Sequence, residues 1–324
     1  MKINLSSFLQ WKINIFLYHR LGWRIAYHYI TFLGALYFFL KRSEKRTIKE
    51  AVESVFGHQK SHADLKSLKR RVFRGIFFHY HEKLFIAYEK PEKATNFLNK
   101  NVISEDLEIL HKKRLKGNGV ILVTGHYGAI EYIPTLLAIN NFPTSMIAKF
   151  KTKQLKEKVY AQAEKYNIRL IDAENTGNVM KSAMKELREN RILITQCDEI
   201  EEWRPSWKKR ISFLGRNTYL DRTINILGKR TGAEIVFGVV HRYSLSNYKL
   251  IMYDYADMMG YLNGPVTSSI GETILKILEE HIYANPEQWY QWKQYLKIRM
   301  APAESKTGEL SSPLVLRPAF EKAS

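Results

Sequence analysis

In the stretch Gly119-Val120-Ile121-Leu122-Val123-Thr124-Gly125-His126-Tyr127-Gly128-Ala129-Ile130-Glu131, a continuous apolar run gives way at once to two glycines flanking a histidine. A short apolar run bounded by glycines reads as a strand buried on both faces, and residues 132–139 read as the helix that follows it. Working outward, residues 145–150, 168–171, 191–197 and 234–240 are further short apolar runs, with a later strand over 248–256. Helical stretches at 153–166, 177–190 and 219–231 separate them. Two more helices are expected at 268–283 and 286–298, the second opening on Pro286. Strands alternating with helices predict an α/β fold with a mainly parallel central sheet flanked by helices. No internal repeat is evident.

His126 then falls at the carboxyl end of a buried strand, where open α/β sheets place their ligands. Gly125 and Gly128 let the backbone turn tightly and approach a ligand closely. An imidazole suits a general base near neutral pH. Glu131, five positions on, is expected to turn back and hold one ring nitrogen, which leaves the other free to take a proton from a hydroxyl. On spacing alone, the same residues also fit a hydrogen-bonded turn histidine beside a helix-start glutamate.

The chain has 324 residues and a formal net charge of +19. A surplus that large calls for an anionic partner: a membrane, a nucleic acid, or an acidic protein or metabolite. The one cysteine, Cys197, excludes an internal disulfide and reads as a buried thiol at a strand end. No Cys/His cluster has zinc spacing, so no metal is expected. Residues 1–42 hold six basic residues and no acid. Between Arg24 and Lys41 lie sixteen residues without formal charge apart from His28. As a helix they cover about 24 Å, against about 30 Å for a bilayer core. Snorkelling by Arg24 and Lys41 narrows that gap, and Trp23, Tyr27 and Tyr37 suit the interface. A buried core helix is the other reading. Three regions are expected: an N-terminal membrane anchor at 1–42, a catalytic domain at 43–300, and a flexible tail at 301–324. Residues 41–74 carry eleven basic and four acidic side chains and look like amphipathic helix.

Several blocks occur in a telling order. Gly125-His126-Tyr127-Gly128 leads to Glu131. It is followed by Gln196-Cys197-Asp198, by Ile211-Ser212-Phe213-Leu214-Gly215-Arg216, and by Arg230-Thr231-Gly232-Ala233 with a strand ending at Arg242. Asn285-Pro286-Glu287-Gln288-Trp289 closes the series. Together these blocks, over roughly residues 10–298, resemble the bacterial lipid A biosynthesis lauroyl/myristoyl acyltransferase family, within the lysophospholipid acyltransferase superfamily and its His-x4-Asp/Glu motif. Departures are Lys149-Phe150-Lys151 where Tyr-Arg is common, Glu199 in place of Gln, Ser212 in place of Pro, and a distinctive loop from Glu201 to Arg210.

The resemblance implies a glycerolipid-acyltransferase-like fold at the cytoplasmic face of the inner membrane. It implies transfer of a fatty acyl group from acyl carrier protein or coenzyme A to a hydroxyl of a lipid A precursor or related glycolipid. No cofactor is implied. His126 is the base and Glu131 its support, with backbone amides near Gly128 as oxyanion donors. Arg216, Lys149 and Lys151 are expected to bind anionic parts of the substrates, and Asp198 to brace the site. Trp203 and Trp207 are expected at the interface or packed within their loop. Acylation of a lysophospholipid would use the same machinery. A non-enzymatic basic protein binding membrane or nucleic acid fits the charge, but no nucleic-acid motif organises it.

Overall fold

The structure, a computed structural model, describes residues 4–150, 152–200, 205–261 and 269–301, without the side chains of 205–208 and Tyr261. The strands are β1 (Val102–Ile103), β2 (Val120–Thr124), β3 (Thr144–Ala148), β4 (Arg169–Asp172), β5 (Ile192–Gln196), β6 (Pro205–Phe213), β7 (Arg216–Asp221), β8 (Glu234–Arg242) and β9 (Tyr248–Tyr253). Seven of them form one sheet in the order β1-β9-β8-β2-β5-β3-β4. All pairs are parallel except β8 with β9. The mainly parallel α/β sheet read from the sequence is therefore present.

β2 lies at the middle of the sheet, and all five of its residues are buried. Side chains alternate across a strand, so Ile121 and Val123 join one hydrophobic cluster and Val120 and Leu122 the other. Helices cover both faces: α1 (Leu5–Leu9), α2 (Lys12–Arg20), α3 (Trp23–Leu40), α4 (Arg42–Phe56), α5 (His62–Tyr88), α6 (Pro91–Asn101), α7 (Leu107–Arg114), α8 (Ile133–Ile139), α9 (Lys153–Lys165), α10 (Val179–Arg188), α11 (Thr223–Thr231), α12 (Tyr255–Tyr261), α13 (Ile270–Ala284) and α14 (Trp292–Tyr295). Their starts follow from local chemistry. Ser61, Thr152 and Asn178 cap α5, α9 and α10 by accepting backbone N–H groups three residues on.

Two expected helices are altered. Residues 219–221 belong to β7, which pairs with β6 as an antiparallel hairpin. Residues 286–298 break into a 3-10 turn at Pro286–Gln288, an extended step at Trp289 and the short α14. Helical bonding is lost there because the Gln288 carbonyl accepts the Gly128 N–H at 2.9 Å and the Tyr290 N–H goes to the His126 carbonyl at 3.2 Å.

No described helix is long and apolar enough to cross a membrane. α3 instead lies antiparallel along α5 and buries Ala26, Ile30, Leu33, Gly34, Tyr37 and Phe38. Gly34 lets the two helices meet, since a Cβ there would sit 2.3 Å from the Phe77 ring. Trp23 donates its indole N–H to the Leu245 carbonyl at 2.7 Å, and the Tyr18 hydroxyl meets His81 at 3.1 Å. Leu5, Leu9 and Tyr18 share a cluster with the sheet residues Ile121 and Val123. Of the expected tail, Ala301 is buried and donates its N–H to Asn217 at 2.8 Å. Residues 302–324 lie outside the described residues.

Candidate active site

β2 and β5 run parallel with Thr124 opposite Gln196. Two residues beyond each stand His126 and Asp198, so the register sets them side by side at the carboxyl ends of the strands. His126 Nδ1 lies 2.8 Å from Asp198 Oδ1. The His126 backbone N–H reaches both carboxylate oxygens, at 3.1 and 3.0 Å. The Trp289 indole N–H donates to Oδ2 at 2.7 Å. Asp198 and Trp289 have no exposed surface.

Burial opposes the charged form of each partner. For Asp198 the contacts with His126 and Trp289 outweigh burial and hold the carboxyl below its ordinary range. For His126 the Asp198 carboxylate, helped by Glu199, outweighs burial and raises the imidazole above its ordinary value, against a smaller push from Lys83. An ionised carboxylate only accepts hydrogen bonds. Nδ1 therefore carries a proton, and Nε2 is the nitrogen that can take one. Nε2 faces the half-exposed Glu199, 3.4 Å from Oε2.

Glu131 does not hold the imidazole, as its five-residue spacing suggested; that position belongs to Asp198. Glu131 stands in a 3-10 turn, Ile130–Tyr132, and meets α5 instead. The Lys83 ammonium donates to Oε1 at 2.9 Å, and His79 Nε2 lies 3.8 Å from the same oxygen. An ammonium at hydrogen-bond distance is a stronger partner for a carboxylate than a more remote imidazole. His79 stacks on Tyr290 with centroids 3.4 Å apart, and the Tyr290 ring meets His126 edge-on at 5.2 Å.

The amides at the Gly128 turn are likewise committed to the fold. Tyr127, Gly128 and Ala129 donate to the carbonyls of Gly125, Gln288 and Val240 at 2.7, 2.9 and 2.9 Å. These three are not available as oxyanion donors. Gly128 is required here, because its φ is +57° and a Cβ would lie 1.9 Å from the Val240 oxygen. Arg242 is buried in a two-pronged pair with Glu82, at 2.7 and 2.6 Å, which ties β8 to α5 behind the site.

The expected substrate-binding cations are dispersed. Arg216 opens β7; its Nε–H meets the Met300 sulfur at 3.1 Å and its guanidinium lies over Tyr295 at 5.3 Å, so its contacts are with the C-terminal segment and not with the dyad. Lys149 is exposed just past the end of β3. Lys151 and Trp203 lie outside the described residues, as does the Trp207 side chain. Cys197 is buried, and burial pushes its thiol up well above the ordinary range. Lys83, His79 and Trp289 were not anticipated as site residues. The i, i+4 spacing of His79 and Lys83 on one helix was the visible signal; which strand end they face was not. Among the described residues, no group of three or more His, Cys, Asp or Glu is placed to hold a metal ion.

A partly open histidine paired with a buried carboxylate stands at the strand ends of this mainly parallel α/β sheet, an arrangement suited to proton abstraction. The chain belongs to the bacterial lipid A biosynthesis acyltransferase family, whose model matches residues 4–297. A search of curated proteins found no match.

Proposed function

We propose that the protein transfers a fatty acyl group from a thioester to a hydroxyl of a lipid A precursor or related glycolipid, at the cytoplasmic face of the inner membrane. The observation that carries this reading is His126, fixed by a buried Asp198, in a chain matched to an acyltransferase family along nearly its whole length.

His126 Nε2 takes the proton of the acceptor hydroxyl, and the oxygen attacks the thioester carbonyl. Asp198 keeps the Nδ1 proton in place and stabilises the imidazolium that forms. Negative charge then develops on the carbonyl oxygen. With the nearby turn amides committed, the Lys83 ammonium, anchored by Glu131, is the donor we assign to it. Collapse forms the new ester and expels a thiolate, which takes the proton back from the imidazolium. A thiolate is a stable leaving group, so the residues named supply each step. The donor is acyl carrier protein or acyl coenzyme A. Lys149, at the end of β3, and Lys151 after it are the cations proposed to meet anionic groups of the substrates.

Membrane attachment is proposed through α3. Its buried side packs on α5, while Ile25, Phe32, Leu36, Phe39 and Leu40 are exposed. At about 100° per residue these five form one stripe along the helix, suited to lying in the interface and not to spanning the bilayer. Lipid mass spectrometry of a deletion strain tests the function. Restoration of one missing acyl chain on lipid A or a related glycolipid by the wild-type chain, but not by His126→Ala, supports it. An unchanged acylation profile of both lipid A and the other glycolipids in the deletion strain refutes it.

A further inference from the structure

Three helices each contribute one stripe to a groove of about 660 Å³, within the size range of small-molecule sites. The groove lies on the part of α5 before the site residues His79 and Lys83. α5 supplies Leu65, Lys66, Lys69, Arg70, Phe73 and Arg74, recurring at helical spacing. α4 supplies Lys45, Lys49 and Glu53 at i, i+4 and i+8; α3 supplies Thr31, Ala35 and Phe38. The chemistry is divided. Phe38, Phe73 and Ala35 make an apolar floor, while the rim is cationic. Its one acid, Glu53, is taken by Lys69 at 2.6 Å. Among the described residues, Lys45, Lys49, Lys66, Arg70 and Arg74 have no carboxylate partner. The buried hydroxyl oxygen of Thr31 has no hydrogen-bond partner either.

Five unpaired cations around one cleft repel one another, and an anion placed among them relieves that repulsion. A free anion would leave the open part of the apolar floor, Ala35 and the partly buried Phe73, in water. An anionic amphiphile satisfies both parts: a phosphate against the Lys and Arg side chains, and an acyl chain along Ala35 and Phe73. The groove is also continuous with the apolar stripe of α3, because Ala35 lies round that helix between Phe38 in the groove and Phe39 on the open face. A lipid could enter it sideways from a bilayer under α3. We propose that this groove binds one phosphate-bearing anionic lipid of the membrane, separately from the acyl-transfer site. The inference rests on the reading that α3 lies against the membrane.

The test uses the full chain on vesicles of phosphatidylcholine containing a minor fraction of phosphatidylglycerol with a photoactivatable acyl chain, with labelled peptides mapped by mass spectrometry. Label is expected at Ala35 and Phe73 as well as on the open face at Phe32 and Phe39. Arg70→Glu with Arg74→Glu should cut the groove label at least about tenfold, roughly one charge-assisted hydrogen bond, and leave the open-face label in place. Ala35→Trp, which fills the floor without changing charge, should do the same. Photoactivatable phosphatidylcholine should label the open face alone. Equal groove labelling by both lipids, or label that survives both variants, overturns the proposal. Binding of inorganic phosphate that Arg70→Glu with Arg74→Glu abolishes, in the absence of any groove label from the lipid, marks a site for the ion alone and also overturns it. Open-face label without groove label removes the groove but keeps the membrane reading; no label at either place removes both.

Discussion

The imidazole of His126 stands between two carboxylates of different exposure. Asp198 is buried and accepts from Nδ1, while Glu199 is partly open and faces Nε2. Both favour the imidazolium. A general base works in its neutral form, so activity rises as pH increases through this pKa. Glu199→Gln removes one carboxylate and should lower that pKa. The acid limb of the kcat/KM profile should then move to lower pH with a similar plateau; a limb that stays put or moves up would show that Glu199 does not act on His126. The Lys83–Glu131 pair makes a different prediction. Loss of a preorganised oxyanion donor costs about 10²–10³ in kcat. Lys83→Met should show a loss of that order with little change in KM, and Lys83→Arg should recover part of it. Glu131→Gln keeps an acceptor for Lys83 and should cost less than Lys83→Met. A larger loss in Glu131→Gln would give Glu131 a role beyond anchoring. His126 was legible from residues close in sequence. Asp198 was legible as a bracing residue through the resemblance, but not as the partner of His126, because it is 72 residues away and only the pairing of β2 with β5 brings the two together.

The helix-breaking segment at 286–290 is the element that locks the site. It crosses the turn after β2, pairs Trp289 with Tyr127 in an isolated bridge, and delivers the indole to Asp198. Gly75 on α5 permits the approach, since a Cβ there would lie 1.7 Å from the Glu287 carbonyl. Pro286 and the apolar spacing read as a helix because propensity is local, whereas the competing hydrogen bonds come from Gly128 and His126, about 160 residues earlier in the chain. The strands around β2 were legible for the opposite reason: burial on both faces demands an apolar run wherever the partner lies. At the turn itself, Gly128→Ala combines a positive φ with a clash against backbone. It should destabilise the fold by more than about 3 kcal/mol. Chemical denaturation of the purified protein in detergent measures this, and a change below about 1 kcal/mol would mean that the turn relaxes.

At the scale of the molecule, a net charge of +19 and an exposed apolar stripe on α3 would act on the proposed membrane contact by different physics. In that reading charge favours anionic lipid and is screened by salt; apolar contact is not screened. High salt should therefore leave most of the protein on vesicles, whereas Phe32→Asp with Phe39→Asp should release it even at low salt. Unchanged flotation of that double variant would place the membrane contact elsewhere. A basic, aromatic N-terminus was plain in the sequence. That its helix gives one side to α5 and the other to solvent depends on packing that no single segment records. The central claim, however, is chemical: His126, held by Asp198, is the base for acyl transfer. It is tested most directly by single-turnover acyl transfer with purified, folded enzyme in detergent, comparing wild type, His126→Ala and Asp198→Asn on the acyl donor and lipid acceptor that the wild type uses. The account predicts a fall of at least about 10²–10⁴ for His126→Ala and a severe loss for Asp198→Asn; near-normal turnover by His126→Ala would contradict it.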